Sequence, residues 1–136
     1  MGPVSDLLFV YGTLRPALAR GEPATLVQGL PCLGPATVRG TLHDLGDYPG
    51  LVAGEGLVHG DLLAVATADQ LVALDAYEEC GGPRPLFVRT RAAATRPDGS
   101  VVAAWVYLFA RSVGTARPIA GGDYAAIRAA GPSLPG

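Results

Sequence analysis

The run Val101 to Ala110 is apolar on both faces when read as a strand. Val102, Ala104, Val106 and Leu108 fall on one side, and Trp105, Tyr107 and Phe109 on the other. Side chains alternate across a sheet, so such a strand must be covered from both directions. A barrel satisfies this, with its interior against one face and a helix or loop laid over the other.

The rest of the chain reads as strands and turns around one helix. Residues 6–11, Asp6 to Tyr11, are a short apolar run that fits a buried first strand and stops at Gly12-Thr13. Residues 36–45 and 56–66 are further strand candidates, separated by a turn at Asp47-Tyr48-Pro49-Gly50. Residues 85–95 and 101–110 form a hairpin about Pro97-Asp98-Gly99. The helix spans 68–78, with Thr67 as N-cap and Gln70 completing a capping box. Ala68, Leu71 and Leu74 recur at helical spacing with Val72 beside them, and Gly81-Gly82-Pro83 ends the helix. A second helical stretch is expected at Tyr124 to Ala129, before a Gly/Pro end expected to fray over about six residues. The 136 residues suit a single domain, 1–136.

Composition narrows the chemistry. Net charge is −2, and the 10 basic residues, all arginine, form no stripe interleaved with aromatic rings, so nucleic acid is not an expected partner. No apolar run approaches the roughly 20 residues of a membrane helix. The N-terminus lacks the features of a secretory signal, so a cytoplasmic location is expected. Without lysine there is no Schiff-base chemistry and no Walker lysine. Cys32 and Cys80 are unclustered and read as reduced structural thiols, and His43 and His59 lack zinc-site spacing. No nucleophile elbow surrounds Ser5, Ser100, Ser112 or Ser133. The inventory leaves a carboxylate-centred mechanism, with no cofactor and no metal expected. Nothing in the sequence sets an oligomeric state.

Two segments stand out. Phe9 to Arg15 is a strand opening into a glycine-containing turn, where backbone N–H groups freed from the ladder can converge on an anion; an ordinary turn is the bland alternative. Asp75-Ala76-Tyr77-Glu78-Glu79 puts three carboxylates at a helix C-terminus, which favours positive charge. Asp75 lies three and four residues before the two glutamates, on their side of the helix. Like charge, the helix end and any burial all raise a carboxylate pKa, as a base for amines requires; the bland alternative is a solvated acidic patch.

Taken in order, these residues resemble the γ-glutamylcyclotransferase superfamily, especially its small bacterial branch and the γ-glutamylamine cyclotransferases. The resemblance rests on Tyr11-Gly12-Thr13-Leu14, Tyr48-Pro49-Gly50-Leu51, Leu74 to Glu78 with Phe87-Val88-Arg89 after it, and Trp105-Val106-Tyr107. It implies an α+β fold, a small mixed domain around a five- or six-stranded β-barrel with few helices. It implies a metal-independent enzyme that releases 5-oxoproline by acyl transfer with lactam formation. Glu78 is then the catalytic acid/base, and Tyr11, Gly12, Thr13 and Leu14 form the substrate loop. Tyr48, Arg89 and Tyr107 are substrate-binding candidates; for the tyrosines core packing, and for Arg89 an ion pair with Asp75, are equally open. Glu79 stands where many relatives carry glycine, and Phe87 replaces the more usual tyrosine. The expected partner is a small γ-glutamyl compound. A non-catalytic binding protein on the same barrel stays open as an alternative. So does a tailoring enzyme that removes a γ-glutamyl protecting group during biosynthesis.

Overall fold

The computed structural model describes residues 6–46 and 48–126. Its strands are β1 (Asp6–Val10), β2 (Cys32–Asp44), β3 (Pro49–Val65), β4 (Phe87–Thr95), β5 (Val101–Phe109) and β6 (Arg117–Pro118). Two helices, α1 (Glu22–Val27) and α2 (Ala68–Tyr77), and one 3-10 turn at Ala120–Gly122 complete it. Five strands close on themselves. β1 pairs antiparallel with β3, β3 with β2, β2 with β4 and β4 with β5, and β5 returns parallel to β1 at Leu8↔Trp105. β6 extends the far end of β2. The barrel expected from the resemblance is therefore present, with five strands in the ring and a sixth outside it.

The two-faced reading of β5 holds. Ala104 and Val106 belong to the interior core with Phe9, Tyr11, Val38, Leu42, Leu51, Val58 and Leu62; Val102 and Leu108 pack against it. Tyr107 sits in a second core with Leu8, Val10, Leu63, Leu71, Leu74 and Phe87, flanked by Trp105 and Phe109. That outer layer is the covering the sequence demanded, supplied by the helices and the 12–30 segment. β1 is split the same way, with Phe9 inward and Leu8 and Val10 outward.

α2 begins as expected, with both halves of the Thr67–Gln70 capping box formed. Of its apolar residues, Leu71 and Leu74 are buried, whereas Val72 is 64% exposed. The hairpin is also as read: the Arg96 N–H donates to Ser100 O, and Asp98 Oδ1 accepts from the Ser100 amide and hydroxyl. β2 and β3 run longer than their sequence patterns suggested. The strand expected from residue 56 begins at Pro49, inside the expected turn, and a Cβ on Gly54 would clash with Thr41 Oγ1. Close approach of β2 and β3 excludes a side chain there. α1 lies where the sequence reading placed no element; its N-cap Gly21 makes no side-chain cap bond, and Glu22 and Pro23 in its first turn were the available signal. Cys32 and Cys80 are free thiols. Of the expected helical stretch Tyr124 to Ala129, residues 124–126 are helical; its remainder and the frayed end lie outside the described residues. Among the described residues no helix is long and apolar enough to cross a membrane.

Candidate active site

Strand directions bring four separate segments to one rim of the barrel. Because β1 and β5 are parallel, the end of β1 lies beside Tyr107 near the end of β5. The parallel pairing of Leu51 with Leu108 carries the start of β3, with Tyr48 and Pro49, to the same rim. Antiparallel pairing of Phe87 with Phe109 adds the start of β4. The C-terminus of α2 packs over this rim as a fifth segment, and the five enclose a cavity of about 300 Å³.

The 11–14 loop forms one wall. Its turn is closed by the Arg15 N–H donating to Gly12 O at 3.0 Å, and Arg15 O accepts from Leu18 and Ala19. Among the described residues the amides of Gly12, Thr13 and Leu14 donate to no backbone carbonyl. They are the orphan donors at a strand end that the sequence suggested. Gly12 is required by space: a Cβ there would lie 2.6 and 2.8 Å from Pro49 Cγ and Cδ.

Glu78 enters from the opposite side as the C-cap of α2, its N–H bonded to Leu74 O at 2.9 Å. Among the described residues no cation pairs with its carboxylate, since the ion pairs are Arg15–Asp61, Arg15–Asp123, Arg89–Asp75 and Arg91–Asp6. Burial first, and the neighbouring Glu79 carboxylate second, push the Glu78 pKa up to about 7. Asp75 contributes nothing to that rise, contrary to the sequence expectation. Its carboxylate turns away and forms a two-pronged pair with Arg89 (Nε–Oδ1 2.8 Å, NH2–Oδ2 3.1 Å), and Tyr107 Oη donates to Oδ1 at 2.7 Å.

Arg89, expected beside the substrate, does not line the cavity. Its guanidinium holds Asp75 and lies 4.3 Å from the Trp105 ring centroid on the barrel's outside. The other seven candidates, Glu78, Tyr11, Gly12, Thr13, Leu14, Tyr48 and Tyr107, do line it. Two of these tyrosines have committed hydroxyls. Tyr11 Oη donates to Tyr107 O at 2.6 Å and accepts from the Leu51 amide at 3.3 Å, tying β1 to β5 and β3. Burial pushes the Tyr11 and Tyr107 pKa values far upward, so neither is a proton donor or acceptor near neutrality. Tyr48 supplies a ring, 5.9 Å from that of Phe87.

Sequence reasoning missed Tyr77, whose hydroxyl lies 3.3 Å from Thr13 Oγ1 and links helix to loop. Its place next to Glu78 was the available signal. Glu79 also lines the cavity, with a backbone φ of +55°. The Glu79 N–H bonds to Ala76 O and the Cys80 N–H to Asp75 O, the paired bonds of a Schellman helix end with Glu79 in its left-handed position. Glycine would fill that position without strain, so Glu79 holds a backbone conformation costly for a side chain.

Fold and cavity together give a small barrel with a cavity at one rim, lined by Glu78 and Glu79, of which Glu78 has its pKa pushed up to about 7. The family model described as "Gamma-glutamyl cyclotransferase, AIG2-like" matches residues 8–126, and the chain belongs to that family. It is similar to the gamma-glutamylcyclotransferase family protein YtfP of Escherichia coli (strain K12), with 35% identity over 118 residues, 86% of this chain and 94% of that one. The solution structure of ytfP from Escherichia coli superposes with a TM-score of 0.61 at 31% identity, covering 87% of this chain and 95% of that one. The crystal structure of YkqA from Bacillus subtilis shares the fold, with a TM-score of 0.71 at 22% identity. That match covers 92% of this chain but 41% of YkqA.

Proposed function

We propose that the chain is a γ-glutamyl cyclotransferase that releases 5-oxoproline and a free amine from a small γ-glutamyl compound, with Glu78 as acid/base. The observation that carries this reading is the unpaired Glu78 carboxylate in the cavity, with its pKa pushed up to about 7. A carboxylate at its ordinary pKa is too weak a base to deprotonate an ammonium group, whereas one near 7 exchanges protons in both directions.

The substrate carries its own nucleophile. Glu78 takes a proton from the α-ammonium, and the freed nitrogen attacks the γ-carbonyl carbon to close a five-membered ring. As the tetrahedral centre collapses, the bond to the leaving nitrogen breaks. Glu78 returns its proton to that nitrogen, and the second proton shed by the ring nitrogen follows, so the amine departs as an ammonium ion. Holding amine and carbonyl in attack geometry contributes on the order of 7–11 kcal/mol. The amides of Gly12, Thr13 and Leu14, which bond to no backbone carbonyl among the described residues, are the donors available to the substrate carboxylate and to the oxyanion.

The test is incubation with a panel of γ-glutamyl amines and γ-glutamyl amino acids, followed by detection of 5-oxoproline. Release by the wild-type protein and none by a folded Glu78→Gln variant is expected. Full activity in that variant would overturn the assignment.

A further inference from the structure

We propose that Glu79 is a specificity-determining residue, selecting γ-glutamyl amines whose leaving group carries a second positive charge and no carboxylate. This rests on the cyclotransferase reading for its substrate frame, though not for the charge preference itself.

Three observations carry it. First, the cavity is electrically one-sided: Glu78 and Glu79 line it, and none of the lining residues is basic. A leaving group with a carboxylate would meet two carboxylates and no cation. Second, the two glutamates differ in depth. Glu78 is half-buried and Glu79 exposed, so Glu79 lines the solvent-facing part of the cavity. Third, the helix end does not need this side chain. Glu79 is the only non-glycine with positive φ among the described residues, and its carboxylate joins no ion pair there. The backbone turn would be served as well by glycine. A charged side chain kept at a strained position, unpaired and at the rim of the cavity, is placed for a ligand.

The walls suit the same ligand. Tyr48 and Phe87, packed ring to ring, add apolar aromatic wall suited to an apolar stem, and aromatic rings also attract ammonium groups. At about 300 Å³ the cavity is at the small end of ligand sites, which limits the leaving group to a short chain.

The experiment uses γ-glutamyl amides of three amines of equal chain length: pentylamine, diaminobutane and aminopentanoate, ending in methyl, ammonium and carboxylate. Binding is measured by calorimetry on the Glu78→Gln protein, where turnover does not interfere, and turnover on the wild type. The ammonium compound is expected to bind about tenfold more tightly than the carboxylate compound, with the methyl compound between, from a near-surface attraction in one case and repulsion in the other. The gap should narrow as salt is raised. It should also collapse when Glu79→Gln is added, and likewise with Glu79→Gly, which suits the positive φ and keeps the fold. Equal binding of all three, no binding of any, or an order that survives removal of Glu79 would each overturn the proposal. The expected order without 5-oxoproline from any compound would leave the charge preference standing and remove the cyclotransferase reading.

Discussion

Replacing Glu78 by Gln should inactivate the protein and make it more stable, with the gain growing as pH rises. The folded-state pKa of Glu78 is about 7 against an ordinary value of 4.5. A carboxyl raised in this way stabilises the fold fully only below about pH 4.5, where it is neutral in both states. Between 4.5 and 7 the unfolded chain ionises first and stability is lost; above about pH 7 the loss is complete. The interval corresponds to a ceiling of about 3 kcal/mol, and solvent reaching the open side of the cavity lowers this to about 2. Glutamine keeps the shape and cannot ionise, so the variant escapes the loss. Thermal unfolding of both proteins from pH 4 to 8.5 is the measurement. Their difference should be constant below pH 4.5 and shift by roughly 6–10 °C in favour of the variant by pH 8. An unchanged difference across that range would refute the argument that Glu78 is held away from water.

Three further changes probe the scaffold. Gly12→Ala sets a methyl against Pro49, so release of 5-oxoproline should fall at least tenfold, and a rate near wild type would show that the loop yields freely. Tyr11→Phe removes the buried hydroxyl that bonds Tyr107 O and the Leu51 amide, and chemical denaturation should report a loss of about 1–3 kcal/mol. Asp75→Asn removes the negative partner of a half-buried arginine, and the same assay should show about 1–3 kcal/mol lost, with the pH dependence of activity unmoved because Asp75 does not act on Glu78.

The parts of the fold visible in sequence were those whose signal is local. The capping box of α2, the Pro97-Asp98-Gly99 turn and the doubly apolar β5 each follow from neighbouring residues and came out as read. What escaped depended on partners far along the chain. The early start of β3 is hidden by glycines that are there because β2 passes against them. Likewise, the separation of Asp75 from Glu78 is invisible without Arg89 and Tyr107, which take Asp75 away. At the site, the loop and the glutamate were recognisable as motifs. The direction of Arg89 was not, because its spacing after the helix fits either face of β4. Glu79 was noticed as a departure, but its left-handed backbone shows only once the helix end is seen.

The Tyr11–Tyr107 hydrogen bond joins residues 96 apart in sequence. The first strand closes the ring only against a strand nearly a hundred residues further along. A nascent chain that stops short of Phe109 therefore has the loop and the glutamate but no cavity between them. Such long-range closure also slows folding, because the intervening chain must be ordered before the contact forms.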